Sequence, residues 1–209
     1  KGLFAAGDAS GASSHKFSSG SHAEGRIAAK AAVKYIVDNN TQPNVDQAKL
    51  DELKEKCFAP MVLFDENKGK TTDPDINPNY IRPKMFMFRL QKLMDEYAAG
   101  VSAQFSTNKF LLEKGMELLT FLREDSAKLG AENLHELMRC HENMQRMWQA
   151  EVHVRTIMER EETRWPGYYY RADFPKMDEE NWKCFVNATY NRDKDEWTMT
   201  KRPVHSLID

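Results

Sequence analysis

The residues best suited to chemistry stand at the start of the chain. Gly2-Leu3-Phe4-Ala5-Ala6 is short and apolar and runs into Gly7-Asp8, a pattern that predicts a buried strand ending in a turn. Residues 9–22, ASGASSHKFSSGSH, are a loop by composition, with two histidines among serine, glycine and alanine. A helical pattern follows from about Ser21 to Asp38. A helix that opens through small residues presents unpaired N–H groups and a partial positive charge, which can hold a phosphate or an electron-rich ring carbonyl. Glycine and serine let the backbone come close, and a carboxylate at Asp8 can accept hydrogen bonds from ribose hydroxyls. His15 could supply a positive donor or move a proton near neutrality. His22 is its rival, and Lys16 could meet a phosphate or sulfate. On residue types alone, ligand binding and ordinary loop packing both stay open, and His15 reads first as a loop histidine that caps the backbone.

The elements that must position this loop come next. Ile27, Ala31 and Tyr35, with Ala28, Ala32 and Ile36, form an alanine-rich stripe suited to close helix–sheet packing, and Asn39-Asn40 ends the helix. Strand, small-residue loop and helix make half of a βαβ-like unit. Residues 46–58 predict a short helix with Leu50, Leu53, Cys57 and Phe58 inward, and 65–80 an exposed linker with Gly69, Pro74 and Pro78. Residues 81–165 predict three helices joined by short loops, an antiparallel bundle. The first carries Met85, Phe86, Leu90, Leu93, Met94 and Tyr97 and ends at Gly100. The second carries Leu111, Leu112, Met116, Leu119 and Leu122 and stops near Gly130. The third runs from about Ala131 to Thr163, with Leu134, Leu137, Met138, His141, Met144, Trp148 and Val152 on one face. Its expected length is roughly 45–50 Å. Residues 166–209 are rich in aromatics, and 182–190 and 195–201 suit two strands around Asn191-Arg192-Asp193-Lys194.

Composition narrows the functions. The 209 residues hold 30 Lys plus Arg against 32 Asp plus Glu, a net charge of −2. A near-neutral, interspersed balance gives no sign of a nucleic-acid partner. No apolar run is long enough for a membrane span, and the first ten residues do not read as a signal peptide. Cys57, Cys140 and Cys184 lie far apart, which suits a reducing, cytoplasmic setting and supplies no iron–sulfur cluster within the chain. No metal site is expected: His135, His141 and His153 lack converging ligands and read as packed or surface residues. A chain that opens inside a strand is expected to be a piece of a longer polypeptide.

Several of these residues also carry a resemblance. Gly2-Leu3-Phe4-Ala5-Ala6-Gly7-Asp8 resembles the second FAD motif of the succinate dehydrogenase/fumarate reductase flavoprotein family. Glu162-Thr163-Arg164, then Tyr170-Arg171-Ala172-Asp173-Phe174-Pro175, then Glu179-Glu180-Asn181-Trp182 is similar to that family's late motif. The wording GDASGASSHKFSSGSHAEGRIAAKAA is similar to the branch of the family that acts on adenylylsulfate. Dicarboxylate-handling members carry an arginine in this loop that clamps a carboxylate; here Ser18 or its neighbours stand in that place, which argues against succinate or fumarate.

The resemblance implies noncovalent FAD, held in part by Gly7, Asp8, Ser18, Gly20, Ser21, His22 and Ala23, with Asp8 on the ribose and Gly20–Ala23 facing the flavin pyrimidine. It implies His15 as the catalytic residue of this piece and Lys16 as a substrate contact. The implied reaction converts adenylylsulfate and two electrons to AMP and sulfite, reversibly, through a flavin N5–sulfite adduct. Electrons would come from a partner iron–sulfur beta subunit that holds the clusters. The first GxGxxG motif and other substrate residues of the family are not among these 209 residues. The implied fold is α+β and mainly helical: the end of an FAD-binding αβ domain (1–40), a linker lobe (41–80), a three-helix bundle (81–165) and a small aromatic-rich C-terminal region (166–209). Two other functions compete. One is a flavoprotein of the same family acting on a dicarboxylate or L-aspartate; the other is a noncatalytic helical scaffold.

Overall fold

The computed structural model describes residues 2–10, 17–40, 44–164 and 168–205. It divides into two compact units, Lys1–Glu52 and Leu53–Asp209. The fold is mainly helical with two small sheets, the expected α+β class.

The first unit holds a 3-10 turn, Gly7–Ser10, and helix α1, Phe17–Asn39. Residues 2–6 are not the expected buried strand. They are irregular and mostly exposed, with Leu3 at 93%. A strand needs a neighbour to take its amide and carbonyl groups, and the two small sheets of the described residues do not include this segment. It lies instead along α1, where Phe4 meets Tyr35 edge-on with ring centroids 6.1 Å apart. The alanine-rich stripe of α1 is likewise uncovered: no residue of this helix is buried, and Ile27 and Ile36 are exposed.

Helix α2 runs Gln47–Asn67, nine residues past the expected end. Pro60 lies inside it and is buried, and its carbonyl accepts the Ala131 N–H at 3.0 Å. The expected inward face is turned outward, since Leu53, Cys57 and Phe58 are exposed, while Pro60, Phe64 and Asn67 are buried. The stretch 65–80 is more than a linker. Asn77 Nδ2 donates to the Asn67 carbonyl (2.9 Å), and buried Tyr80 donates to the Pro74 carbonyl.

Helices α3 (Pro83–Tyr97), α4 (Lys109–Asp125) and α5 (Leu134–Glu159) form the core, each pair in contact. Their starts follow local chemistry. Pro83 stands where a missing N–H costs nothing. Asn108 and Asn133 cap α4 and α5 by accepting from Leu111 N and Glu136 N. Phe86, Leu90 and Leu93 meet Leu112, Leu119 and Leu122, and Leu137, Cys140, Met147, Val154 and Ile157. Gly115 permits close approach, since a Cβ there would stand 3.0 Å from Tyr97 Cβ.

α5 is shorter than expected, because residues 160–163 leave the helix. Its buried face also differs. Leu134 and Met138 are exposed, while Asn143 and Glu151 are buried, tied to the Pro83 carbonyl and to Arg155. Trp148 turns toward the C-terminal hairpin, packing on Tyr190 at 5.0 Å. That hairpin pairs β3, Cys184–Asn191, with β4, Glu196–Pro203, antiparallel, close to the expected bounds.

The bundle is tied at one end. A short parallel pair joins β1 (Ser106–Thr107) to β2 (Tyr170–Arg171). Buried Arg171 donates to the carbonyls of Ile157 and Arg160 at the end of α5, and bidentately to Asp173 at 2.9 and 2.8 Å. Asp173 also accepts from Lys109 N, the first amide of α4, at 3.0 Å. Nearby, buried Glu162 accepts from Arg160, Arg164 and the Asp178 amide. The late motif therefore builds a structural knot. No described helix is long and apolar enough to cross a membrane.

Burial alone would raise the Glu162 carboxyl, but the hydrogen bonds from Arg164, the Asp178 amide and Arg160 outweigh it and hold the group below its usual range. Its stabilisation is then complete above the ordinary glutamate value of 4.5 and is lost as pH falls through the lowered folded-state value. Glu162→Gln is expected to lower the stability of the helical unit at neutral pH by about 3 kcal/mol and to flatten its loss below that pH. Thermal melts from acid to neutral pH check this; parallel curves for both proteins would show that Glu162 carries no acid-labile stability.

Candidate functional site

The chemistry-bearing residues of the first unit gather where the Gly7–Ser10 turn meets the start of α1. Gly7 is buried and has φ +68°, in the left-handed region that favours glycine. A Cβ on it would stand 3.3 Å from Ser21 Oγ, so the backbone of the turn lies directly against α1. Glu24, one helical turn beyond Ser21, accepts from Gly7 N and from Ser10 Oγ, both at 2.9 Å. Asp8 stands between those two donors with an exposed side chain and makes no hydrogen bond or ion pair to the described residues.

The expected cofactor residues of α1 occupy its first two turns. Ser18, His22 and Ala23 are exposed, and Gly20 and Ser21 are half-buried. His22 has no partner among the described residues. His15 and Lys16 lie outside the described residues. The structure thus places Gly7 against Ser21, with Asp8 next to it in the turn, and ties Gly7 and Ser10 to Glu24, contacts that sequence reasoning did not single out. No residue-type signal marks Glu24, since an acid near a helix start is ordinary.

The remaining candidates are structural. His141 Nε2 donates to the Cys57 carbonyl at 2.9 Å. Burial and the nearby Glu136 carboxylate push the Cys140 thiol up to about 12, so it stays protonated. Among the described residues no group of three His, Cys, Asp or Glu side chains could hold a metal ion.

The donor set fits a flavin nucleotide. A close-approach glycine, an exposed carboxylate and a small-residue helix start suit a sugar hydroxyl and an electron-rich ring system. Residues 87–207 match the family described as fumarate reductase flavoprotein C-term, and the chain belongs to that family. It is 46% identical over 208 residues to the adenylylsulfate reductase subunit alpha of Megalodesulfovibrio gigas, covering all of this chain and 31% of that protein. A solved adenosine-5-phosphosulfate reductase in complex with sulfite, described as a covalent adduct, matches with TM-score 0.94 and 54% identity, over 100% of this chain and 33% of that one. Adenylylsulfate reductase from the hyperthermophilic Archaeoglobus fulgidus matches with TM-score 0.93, at the same identity and coverage. E. coli quinol fumarate reductase, at 18% identity, TM-score 0.69 and coverage of 100% and 35%, shares the fold alone. The chain spans about a third of the length of these relatives.

Gly7→Ala forces a side chain into the left-handed region and against Ser21. It is expected to destabilise the turn by about 1–3 kcal/mol. Limited proteolysis would read this as faster cleavage around residues 5–10, and an unchanged rate would show that the turn does not need glycine.

Proposed function

We propose that this chain is the C-terminal part of the catalytic subunit of an FAD-dependent adenylylsulfate reductase, which converts adenylylsulfate and two electrons to AMP and sulfite and runs in either direction. The observation that carries this is the Gly7–Asp8 turn locked against the start of α1, in a chain alike over its whole length to proteins of that name. In the forward direction the bridging S–O bond breaks. The sulfate sulfur takes two electrons and leaves as sulfite, and the bridging oxygen stays on the phosphate of AMP. FAD, bound noncovalently, supplies the two-electron exchange.

The chain's own residues then have these roles. Asp8 accepts from ribose hydroxyls, and Gly7 brings its backbone close without a side chain in the way. Ser18, Gly20, Ser21, His22 and Ala23 line the flavin at the helix start. The positive end of α1 stabilises negative charge that develops there, and it does so without reorganising. His15 donates to the oxyanion or moves its proton, and Lys16 meets the phosphate or sulfate. In this assignment residues 1–40 would belong to the FAD-binding domain, 41–80 to a linker lobe, 81–165 to the bundle and 166–209 to the aromatic-rich region.

Electrons arrive from an iron–sulfur beta subunit. Three scattered cysteines, one a protonated buried thiol, support clusters held by that partner. The same cysteine usage supports a cytoplasmic location. A dicarboxylate substrate is disfavoured by the stretch from Ala9 to Gly25, which contains no arginine to clamp a carboxylate.

The full-length protein is expected to show a flavin absorption band that bleaches on adding sulfite and shifts further with AMP. A band indifferent to sulfite would keep the family and remove the substrate, and a colourless protein that cannot be reconstituted would remove the flavin. His15→Ala is expected to cut adenylylsulfate turnover by about 100-fold or more, with flavin content retained; undiminished turnover would take His15 out of the mechanism.

A further inference from the structure

We propose that Glu24 is a positioning residue for the bound nucleotide: its carboxylate holds the Gly7–Ser10 turn against α1 and thereby sets where Asp8 stands. This builds on the flavin assignment above and adds a residue to it.

The turn spans four residues, and both of its ends go to one oxygen. Gly7 N and Ser10 Oγ each donate to Glu24 Oε2 at 2.9 Å, across 17 and 14 residues of sequence. Hydrogen bonds to an ionised acceptor are roughly twice as strong as neutral ones. A third restraint comes from the same face of α1. Ser21 lies three residues before Glu24, one turn away, and packs on Gly7 so closely that a Cβ would meet its Oγ at 3.3 Å. Among the described residues these contacts fix the turn to the helix, and Asp8 sits between the two hydrogen-bonded ends with its carboxylate exposed.

An acceptor for sugar hydroxyls works only if it is held at a set distance from the rest of the nucleotide's site. The residues that face the flavin ring start the same helix that carries Glu24. Glu24 thus ties the ribose contact and the ring contact into one rigid piece. It does this without touching either, so it differs from the cofactor-binding residues named above.

The test uses the full-length flavoprotein and two substitutions. Glu24→Ala removes both acceptor contacts, whereas Glu24→Gln keeps an oxygen that can accept from Gly7 N and Ser10 Oγ. In flavin-free protein, amide hydrogen exchange at residues 7–10 should be slow in the parent and in Glu24→Gln. It should be about tenfold faster or more in Glu24→Ala, the factor that loss of one charged hydrogen bond carries. The FAD dissociation constant should rise by a similar factor in Glu24→Ala and be largely restored in Glu24→Gln, with exchange in residues 83–159 unchanged throughout.

If Glu24→Ala exchanges slowly or binds FAD as tightly as the parent, the positioning role is wrong. If Glu24→Gln fails to restore binding, the pair of accepted hydrogen bonds does not set the position of Asp8, and the positioning role is wrong. If the parent itself binds no FAD, the flavin assignment falls and the role falls with it, a result distinct from a parent that binds while the alanine variant is unaffected.

Discussion

The contact on which the larger unit depends is the pair between Arg171 and Asp173. The end of α5 presents carbonyls with no partner inside the helix, and the start of α4 presents amides in the same condition. Arg171 satisfies the first set with its guanidinium, and Asp173 satisfies part of the second with its carboxylate. Each charge also opposes the partial charge of the helix end it meets. The two side chains then bond to each other bidentately. The short segment 171–173 therefore locks the C-terminus of α5 beside the N-terminus of α4, so that those helices run antiparallel. Such a pair costs desolvation, and it is tolerated here because nearly every donor on Arg171 is used.

Glu162 extends the same logic outward. It lies completely buried, yet it draws Arg160 and Arg164 together, and those arginines reach the carbonyls of Trp182 and Cys184 and the Glu179 carboxylate. The hairpin is thereby attached at its base. Its far end is attached by Arg123 to Asp195, with Tyr190 donating to the same carboxylate. Between these points Trp148, Tyr190 and Trp197 stack, with Arg123 and Arg155 over the two indoles. A two-stranded hairpin is marginal alone; this one is held by charge at both ends and by aromatic area in the middle.

Much of this fold was legible in the sequence, and the misses have physical causes. α3, α4 and the hairpin could be read because their apolar residues keep strict spacing, Gly100 and Gly130 follow the helices, and a polar turn joins the strands. α5 was read too long because Glu159-Arg160-Glu161-Glu162 resembles a solvated helix face, whereas Arg160 and Glu162 belong to the knot. Its buried stripe was misread because Asn143 and Glu151 occupy core positions, made tolerable by partners on Pro83 and Arg155 that no periodicity announces. α2 was stopped early because the buried segment around Pro60 and Phe64 follows a run of charge. The strand expected at residues 2–6 failed for a different reason. A short apolar run describes a segment's willingness to pair, and pairing itself depends on a neighbour.

The candidate site shows the same division. Residue type marks Asp8 and a small-residue helix start as candidates, whereas Ser18, Gly20, Ser21, His22 and Ala23 are implied only by the resemblance. Glu24 could not be found that way, because an acid on a helix surface is ordinary and its meaning lies in what points at it. The two donors that do so come from a turn whose shape depends on a left-handed glycine. That shape in turn depends on Ser21 being small enough for the turn to lie against it. Residue type thus marks candidate groups, while the contacts of Glu24 with Gly7 and Ser10 emerge only from long-range hydrogen bonds. The same is true of the larger unit, where the charged residues of the late motif were conspicuous in the sequence but their role in joining helix ends was not.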